Sequence, residues 1–240
     1  MAWYVVMVSN VKIGSKKWET IIRKGATELG VIVDDDALHG FSVHAAEMIM
    51  FSRKMNLTTI TDPFEIAIKH IVDSLAAAPY LSDKGALLDI GSGAGFPGIP
   101  LKLVHPALAV TLIDGSARKI SFLKHVIRLL NIDGIVAHQI RAEQMGGNRE
   151  ERFDIVITRA LGTLDKCVQL ALPLVNKEKG TVIALRGHMD EGELPPLRRF
   201  INRHLACQQS EKIDYDLTIS RFSLPVSNDQ RTIVIVNFHR

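Results

Sequence analysis

The chain lacks the features that would mark it as secreted, metal-bound or membrane-spanning. Its two cysteines, Cys167 and Cys207, lie far apart in the sequence. They form no metal-spaced cluster, offer no iron–sulfur ligand set, and suit a reducing, cytoplasmic compartment. Long apolar runs are missing too. The opening stretch MAWYVVMVSNVKIG is too short to span a bilayer, has no basic leader, and reads as a terminal strand or a loose extension. There is no internal repeat and no low-complexity tract. Nor is one sign of charge in large excess: 29 Lys and Arg against 26 Asp and Glu leave +3, which permits a nucleic-acid partner without demanding one. A chain of 240 residues with 47% hydrophobic composition is an ordinary globular protein that can bury a substantial core without disulfides.

What is present falls into two textures. Residues 15–80 carry helical patterns: SKKWETIIRKGATELG ends in Gly30, Asp34 to Asp36 can cap a second helix running toward Met55, and DPFEIAIKHIVDSLAAAP starts near Pro63 and stops at Pro79. In this third segment His70 and Asp73 are three apart, the spacing of helical neighbours, and read as a local pair. From residue 85 short apolar runs alternate with amphipathic stretches such as ARKISFLKHVIRLL. That alternation predicts an α/β fold with a mostly parallel sheet, right-handed crossovers and helices on both faces. Runs near 207–218 and 232–238 have only SRFSLPVSNDQR between them, which predicts an antiparallel pair at the sheet's edge. The expected division is a helical extension over 1–83 packed on an α/β domain over 84–240.

Ligands in open α/β sheets bind beyond the carboxyl ends of the strands. The first apolar run ends in LLDIGSGAGFPGIPL, the second in Asp114, the third in Arg141-Ala142-Glu143, the fourth in Thr158-Arg159-Ala160 and the fifth in Arg186-Gly187. The glycines fit two frames. Gly93, Gly95 and Gly98 spell G-x-G-x-x-G with Asp114 about 20 residues on, as in a dinucleotide site. Asp89, Gly91, Gly93 and Gly95 spell D-x-G-x-G-x-G, which suits a cofactor with a ribose and no phosphate, such as S-adenosylmethionine. Asp114 can accept from a ribose diol. Asp89 would sit well near a cationic amine or sulfonium and badly beside a pyrophosphate, which favours the second frame.

The loop DIGSGAGFPGIPL resembles that of the bacterial 16S ribosomal RNA guanine-N7 methyltransferases, the family also called glucose-inhibited division protein B. MNLTTITDP at 55–63, KHIVDSL at 69–75, LIDGSARKISFL at 112–123, RAE at 141–143, FDIVITRA at 153–160 and ALRG at 184–187 follow in the family's order. The resemblance implies a class I S-adenosylmethionine-dependent methyltransferase fold, Rossmann-like and seven-stranded, with helices added in front. It implies cofactor contacts at Gly91, Phe96, Ala142, Glu143 and Arg159, with Asp114 at the wider fold's ribose position, and Asp89 and Gly93 in the loop. The implied target is a guanine in the 530 loop of 16S rRNA, at rRNA position 527. The chain departs from the family at Phe51-Ser52, Asp114-Gly115, Arg118 and Thr158.

Guanine N7 has a lone pair and no proton at neutral pH, so in-line methyl transfer needs no general base, and no catalytic side chain is assigned. Arg53, Lys54, Arg118, Lys119 and Arg186 are the candidate RNA contacts. Arg159 could reach guanine O6, a phosphate or the cofactor carboxylate; the resemblance favours the cofactor, so Arg159→Ala is expected to weaken its binding. No metal is expected, nor a membrane partner, and the chain is expected to act as a monomer on rRNA or on the small ribosomal subunit. The competing readings are an NAD-dependent dehydrogenase, for which no hydride-transfer residue is evident, and a non-catalytic RNA-binding assembly factor that keeps the loop only as structure.

Overall fold

Ser15 accepts from the Trp18 amide and so caps the first helix, α1 (Lys16–Glu28). The computed structural model describes residues 11–145, 152–187, 189–206 and 213–240; the apolar opening at 1–10 and Cys207 lie outside them. Asp34 caps α2 (Asp35–Met55) through the Ala37 amide. Asp62 caps a third helix, α3, whose first residue is Pro63, a position where no amide proton is needed. The sequence predicts one regular helix here. Instead α3 is α-helical over Pro63–Ile66, π-helical over Ala67–Val72 and α-helical again over Asp73–Leu75. The apolar spacing of Phe64, Ile68, Ile71 and Leu75 fits either ladder, so a local widening leaves no mark on it.

The remaining elements alternate: β1 (Gly85–Ile90), α4 (Gly98–Val104), β2 (Leu108–Asp114), α5 (Ala117–Leu130), β3 (Ile135–Gln139), β4 (Ile155–Arg159), α6 (Leu164–Ala171), β5 (Thr181–Arg186), α7 (Leu194–Ala206), β6 (Asp214–Ser223) and β7 (Gln230–His239). They form one seven-stranded sheet in the order β3-β2-β1-β4-β5-β7-β6. The first five strands are parallel. β7 runs antiparallel to both β5 and β6, the expected edge pair. β6 ends later than the sequence suggested and takes in 220–223 of the stretch read as a connection. Its residues alternate between exposed and half-buried, as on an edge strand, so no apolar run marks where it ends.

Alternation along the strands gives each face its own core. Leu87, Leu112 and Ile157 share one cluster with Trp18, Ile21, Phe41, Met48, Ile68 and Leu75 of the first three helices. Trp18 Nε1 also donates to the Pro63 carbonyl at 2.9 Å, tying α1 to the start of α3. Leu88, Val156 and Val182 face the other way, onto Val168 of α6 and Leu197 of α7. Because β1 sits between β2 and β4, the crossovers leave it in opposite directions, and a crevice opens at the carboxyl ends there. No helix among the described residues is long and apolar enough to cross a membrane.

Candidate functional site

Five parallel strands deliver their last residues to this edge. A cleft of about 460 Å³ is lined there by Gly91, Ile113, Asp114, Ala142, Glu143 and Leu161, among others. Asp114 is held in place before any ligand arrives: Oδ1 accepts the Ser116 amide at 2.8 Å and Oδ2 the Gly93 amide at 3.2 Å. Lys119 Nζ stands 3.4 Å from Oδ2 on a part-exposed side chain, a long contact that a diol can displace. Ile113, Ile140, Leu161 and Leu170 supply apolar wall, while Ala142 is buried and Glu143 exposed at the rim.

The glycine loop is folded on itself. The Gly91 and Ser92 amides donate to the Ile113 carbonyl, and the Gly95 and Phe96 amides to the Ser92 carbonyl. Gly93 donates to Asp114 and Gly98 to Asp89. Pro97 has no amide proton. A loop that cradles a pyrophosphate needs several free N–H groups aimed outward; here those of Gly91, Ser92, Gly93, Gly95, Phe96 and Gly98 are already committed. Gly91 holds φ 72°, a conformation that favours glycine, and a Cβ there would push on the Leu161 Cδ1 methyl at 2.6 Å.

Four residues expected at the cofactor do not line this cleft: Gly93, which reaches it through its amide on Asp114, and Asp89, Phe96 and Arg159. Asp89 is wholly buried behind the loop, with Oδ2 on the Gly98 amide at 2.9 Å and no partner for Oδ1. Burial pushes its carboxyl up to about 7, against the pull of the Gly98 amide and of the nearby Arg159 guanidinium. The charge argument made on Asp89 therefore loses force at neutrality, and the committed loop amides replace it. Phe96 is stacked between His44 and His70, ring centroids 4.5 and 4.7 Å away. Burial lowers both imidazoles, to about 4 and about 3. Arg159 turns into α3: it meets the Lys69 carbonyl, the His70 carbonyl at 3.5 Å, Ser74 Oγ at 3.3 Å and Asp73 Oδ2 at 3.1 Å. His70 and Asp73 are not the pair their spacing suggested. His70 Nε2 lies 2.9 Å from Thr58 Oγ1, whereas Asp73 faces two arginines, because the wider π turn takes residues three apart off a common face.

The buried Asp89 carries a pH signature. Its folded carboxyl holds a proton up to about pH 7, whereas the ordinary value is 3.8. The stabilisation is complete below the unfolded value and is lost as pH rises through the folded one. Asp89→Asn keeps an oxygen for the Gly98 amide and removes this dependence. Its Tm relative to the parent chain is expected to climb by about 4 °C or more between roughly pH 4.5 and 8. A difference that stays flat in melts across that range would contradict the assignment.

A second pocket of about 350 Å³ adjoins the cleft, lined by Asp73, Arg159, Ala160, Leu161, Arg186 and Arg231, among others. Leu161 is common to both. Sequence reasoning missed Leu161 and Arg231: one is an ordinary apolar residue, the other lies far along the chain at the start of β7, between β5 and β6. The five basic candidates do not form one patch. α2 packs antiparallel on α5, with Glu47 2.8 Å from His125 and Phe51 5.3 Å from Phe122. That pairing carries exposed Arg53 and Lys54 to the end where Arg118 and Lys119 begin α5, beside Asp114. Arg186 stands apart in the second pocket, on the Gly162 carbonyl at 2.7 Å and 3.4 Å from Glu193.

Comparison with known proteins agrees with this architecture. The family model described as rRNA small subunit methyltransferase G matches residues 38–214. Ribosomal RNA small subunit methyltransferase G of Geobacter sulfurreducens is 37% identical over 221 residues, 91% of this chain and 96% of that protein. Its namesake from Geotalea uraniireducens is 37% identical over 212 residues, 88% of this chain and 93% of that one. Among solved structures, TYW2 of M. jannaschii in complex with AdoMet aligns with a TM-score of 0.53 at 14% identity, over 71% of this chain and 76% of that one. That likeness concerns the fold alone. On the family match and the near full-length identity together, the chain belongs to the rRNA small subunit methyltransferase G family.

Proposed function

We propose that this chain uses S-adenosylmethionine to methylate N7 of a guanine in small-subunit rRNA. The observation that carries the reading is the pair of adjoining pockets with Leu161 as their common wall. The first fits the donor. Asp114 offers a fixed carboxylate to the ribose diol, Ile113 and Ile140 a slot for the adenine, and the glycine loop a close but phosphate-poor approach. Gly91, Gly93, Asp114, Ala142 and Glu143 would hold it. Asp89 and Phe96 support the loop from behind. The donor supplies a methyl group on a sulfonium.

The second pocket is the place for the base. It abuts the ends of β4 and β5 and carries the cations Arg186 and Arg231 at its wall, where a nucleotide's phosphate or guanine O6 finds partners. N7 brings its own lone pair, so the protein has no proton to remove. Its contribution is to hold nucleophile and methyl in line, an effect that reaches about 7–11 kcal/mol for ideal alignment. Arg53, Lys54, Arg118 and Lys119 form a basic rim beside the donor cleft that suits rRNA backbone. An unstacked loop base is the least costly target to present.

Labelled S-adenosylmethionine offered with small-subunit RNA or particles lacking the modification tests this. Label is expected at guanine N7, at one position. Methyl on another base, or only on a small molecule, refutes the substrate. Tight NAD binding with no S-adenosylmethionine binding refutes the donor.

A further inference from the structure

The helices in front of the sheet meet the second pocket at one carboxylate. Asp73 Oδ2 lies 3.1 Å from Arg159 and Oδ1 2.8 Å from Arg231 Nε. The other Arg159 contacts are the Lys69 and His70 carbonyls and the Ser74 hydroxyl. Nη1 donates to the His70 carbonyl and the Ser74 hydroxyl, Nη2 donates to the Lys69 carbonyl and is ion-paired with Asp73, so both ends of the guanidinium are engaged. The acceptors sit on the π-helical segment of α3 and the turn after it, where the widened ladder makes carbonyls available to an outside donor.

An arginine so committed is no mobile ligand for a carboxylate or a phosphate. Nor is a largely buried ion pair kept for stability, since desolvation offsets most of its attraction. Its consequence is geometric. Arg159 is the last residue of β4, and Ala160 after it has φ 54°, a left-handed conformation that a side-chain-bearing residue adopts only when its surroundings impose it. That turn lays Leu161 against Gly91 and on the boundary of both pockets.

We propose that Asp73 is a positioning residue for methyl transfer: through Arg159 it fixes the turn that sets Leu161 between donor and base. This rests on the assignment of the two pockets given above. It makes the front helices part of the reaction geometry as well as of the core.

The test uses the full chain. Asp73→Asn is expected to leave the S-adenosylmethionine Kd within about threefold while lowering the single-turnover methylation rate about thirtyfold or more. Asp73→Glu restores part of that rate. Leu161→Ala shows a similar loss, and Asp73→Asn/Leu161→Ala together fall no more than about threefold below the worse single variant, because both act through one turn. Amide exchange at 160–163 accelerates in Asp73→Asn while that of α1 does not. An unchanged rate, multiplying losses, or exchange that rises everywhere alike overturns the proposal. Should Asp73→Asn fail to fold, Ser74→Ala removes one Arg159 contact and is expected to show the same local exchange change on a smaller scale. A parent chain that binds donor yet methylates no RNA defeats the substrate assignment; the exchange measurement needs no substrate and still decides whether Asp73 holds the turn.

Discussion

Asp114→Ala is expected to raise the Kd for S-adenosylmethionine by about 100-fold. Two effects combine. The variant removes the ionised acceptor for the ribose diol, where a hydrogen bond to a charged group contributes about 1.5–3 kcal/mol. It also releases the Gly93 amide, which Asp114 Oδ2 now holds at 3.2 Å, so the loop loses a tether. A loss of about 2.7 kcal/mol corresponds to the 100-fold change. Asp114→Asn keeps the shape and one acceptor, and is expected to cost about tenfold. Calorimetric titration with S-adenosylmethionine measures both. Affinity within threefold of the parent would mean that the ribose is bound elsewhere. Thermal stability is measured alongside, because the side chain is only 11% exposed and accepts the Ser116 and Gly93 amides, so part of the loss is structural.

Gly98→Ala is expected to damage the fold itself. An alanine Cβ at this position would stand 2.3 Å from Leu112 Cδ2 and 2.7 Å from Asp89 Oδ2. Its backbone is an ordinary helical one, so the problem is space alone. Overpacking of a filled core costs about 1–3 kcal/mol. Displacing Asp89 also breaks its bond to the Gly98 amide and leaves a buried carboxyl group with neither oxygen hydrogen-bonded, which adds about 1–3 kcal/mol. A fall in Tm of roughly 4–24 °C follows from about 2–6 kcal/mol in a chain of this size. Gly93→Ala makes the contrast. There the nearest atom is a backbone oxygen at 3.8 Å, so only the φ of 57° resists the substitution, at about 1 kcal/mol. Melts of the two variants side by side separate crowding from backbone strain; equal losses would contradict this account of Gly98.

How far the sequence carried the reading depended on what kind of interaction each residue makes. The helix cap at Asp34 and the helix start at Pro63 were legible because such signals are local. So were the ends of the five parallel strands, and with them Asp114 at the cleft. The places of Asp89, Phe96 and Arg159 were not. Each sits within a motif that suggests ligand contact, yet its partners come from α3, from α2 and from the far side of the loop. Nothing in DIGSGAGFPGIPL reveals that His44 and His70 will enclose Phe96. The π-helical segment was hidden because apolar spacing tolerates it. Leu161 was hidden because a leucine that separates two pockets looks like any leucine.

The ion pair between Arg231 and Asp73 joins residues 158 apart in sequence. Vectorial synthesis delivers α3, β1 and β4 long before β7. Until β7 pairs with β5, Arg231 is absent from its place and Asp73 has Arg159 alone. Contacts of such long sequence separation close late and slowly, since the loop entropy must be overcome before they reward it. The donor cleft draws its lining from residues 90–170 and can take shape earlier. On the proposed assignment of the two pockets, a growing chain therefore acquires the lining for a methyl donor before it acquires the finished wall for a base.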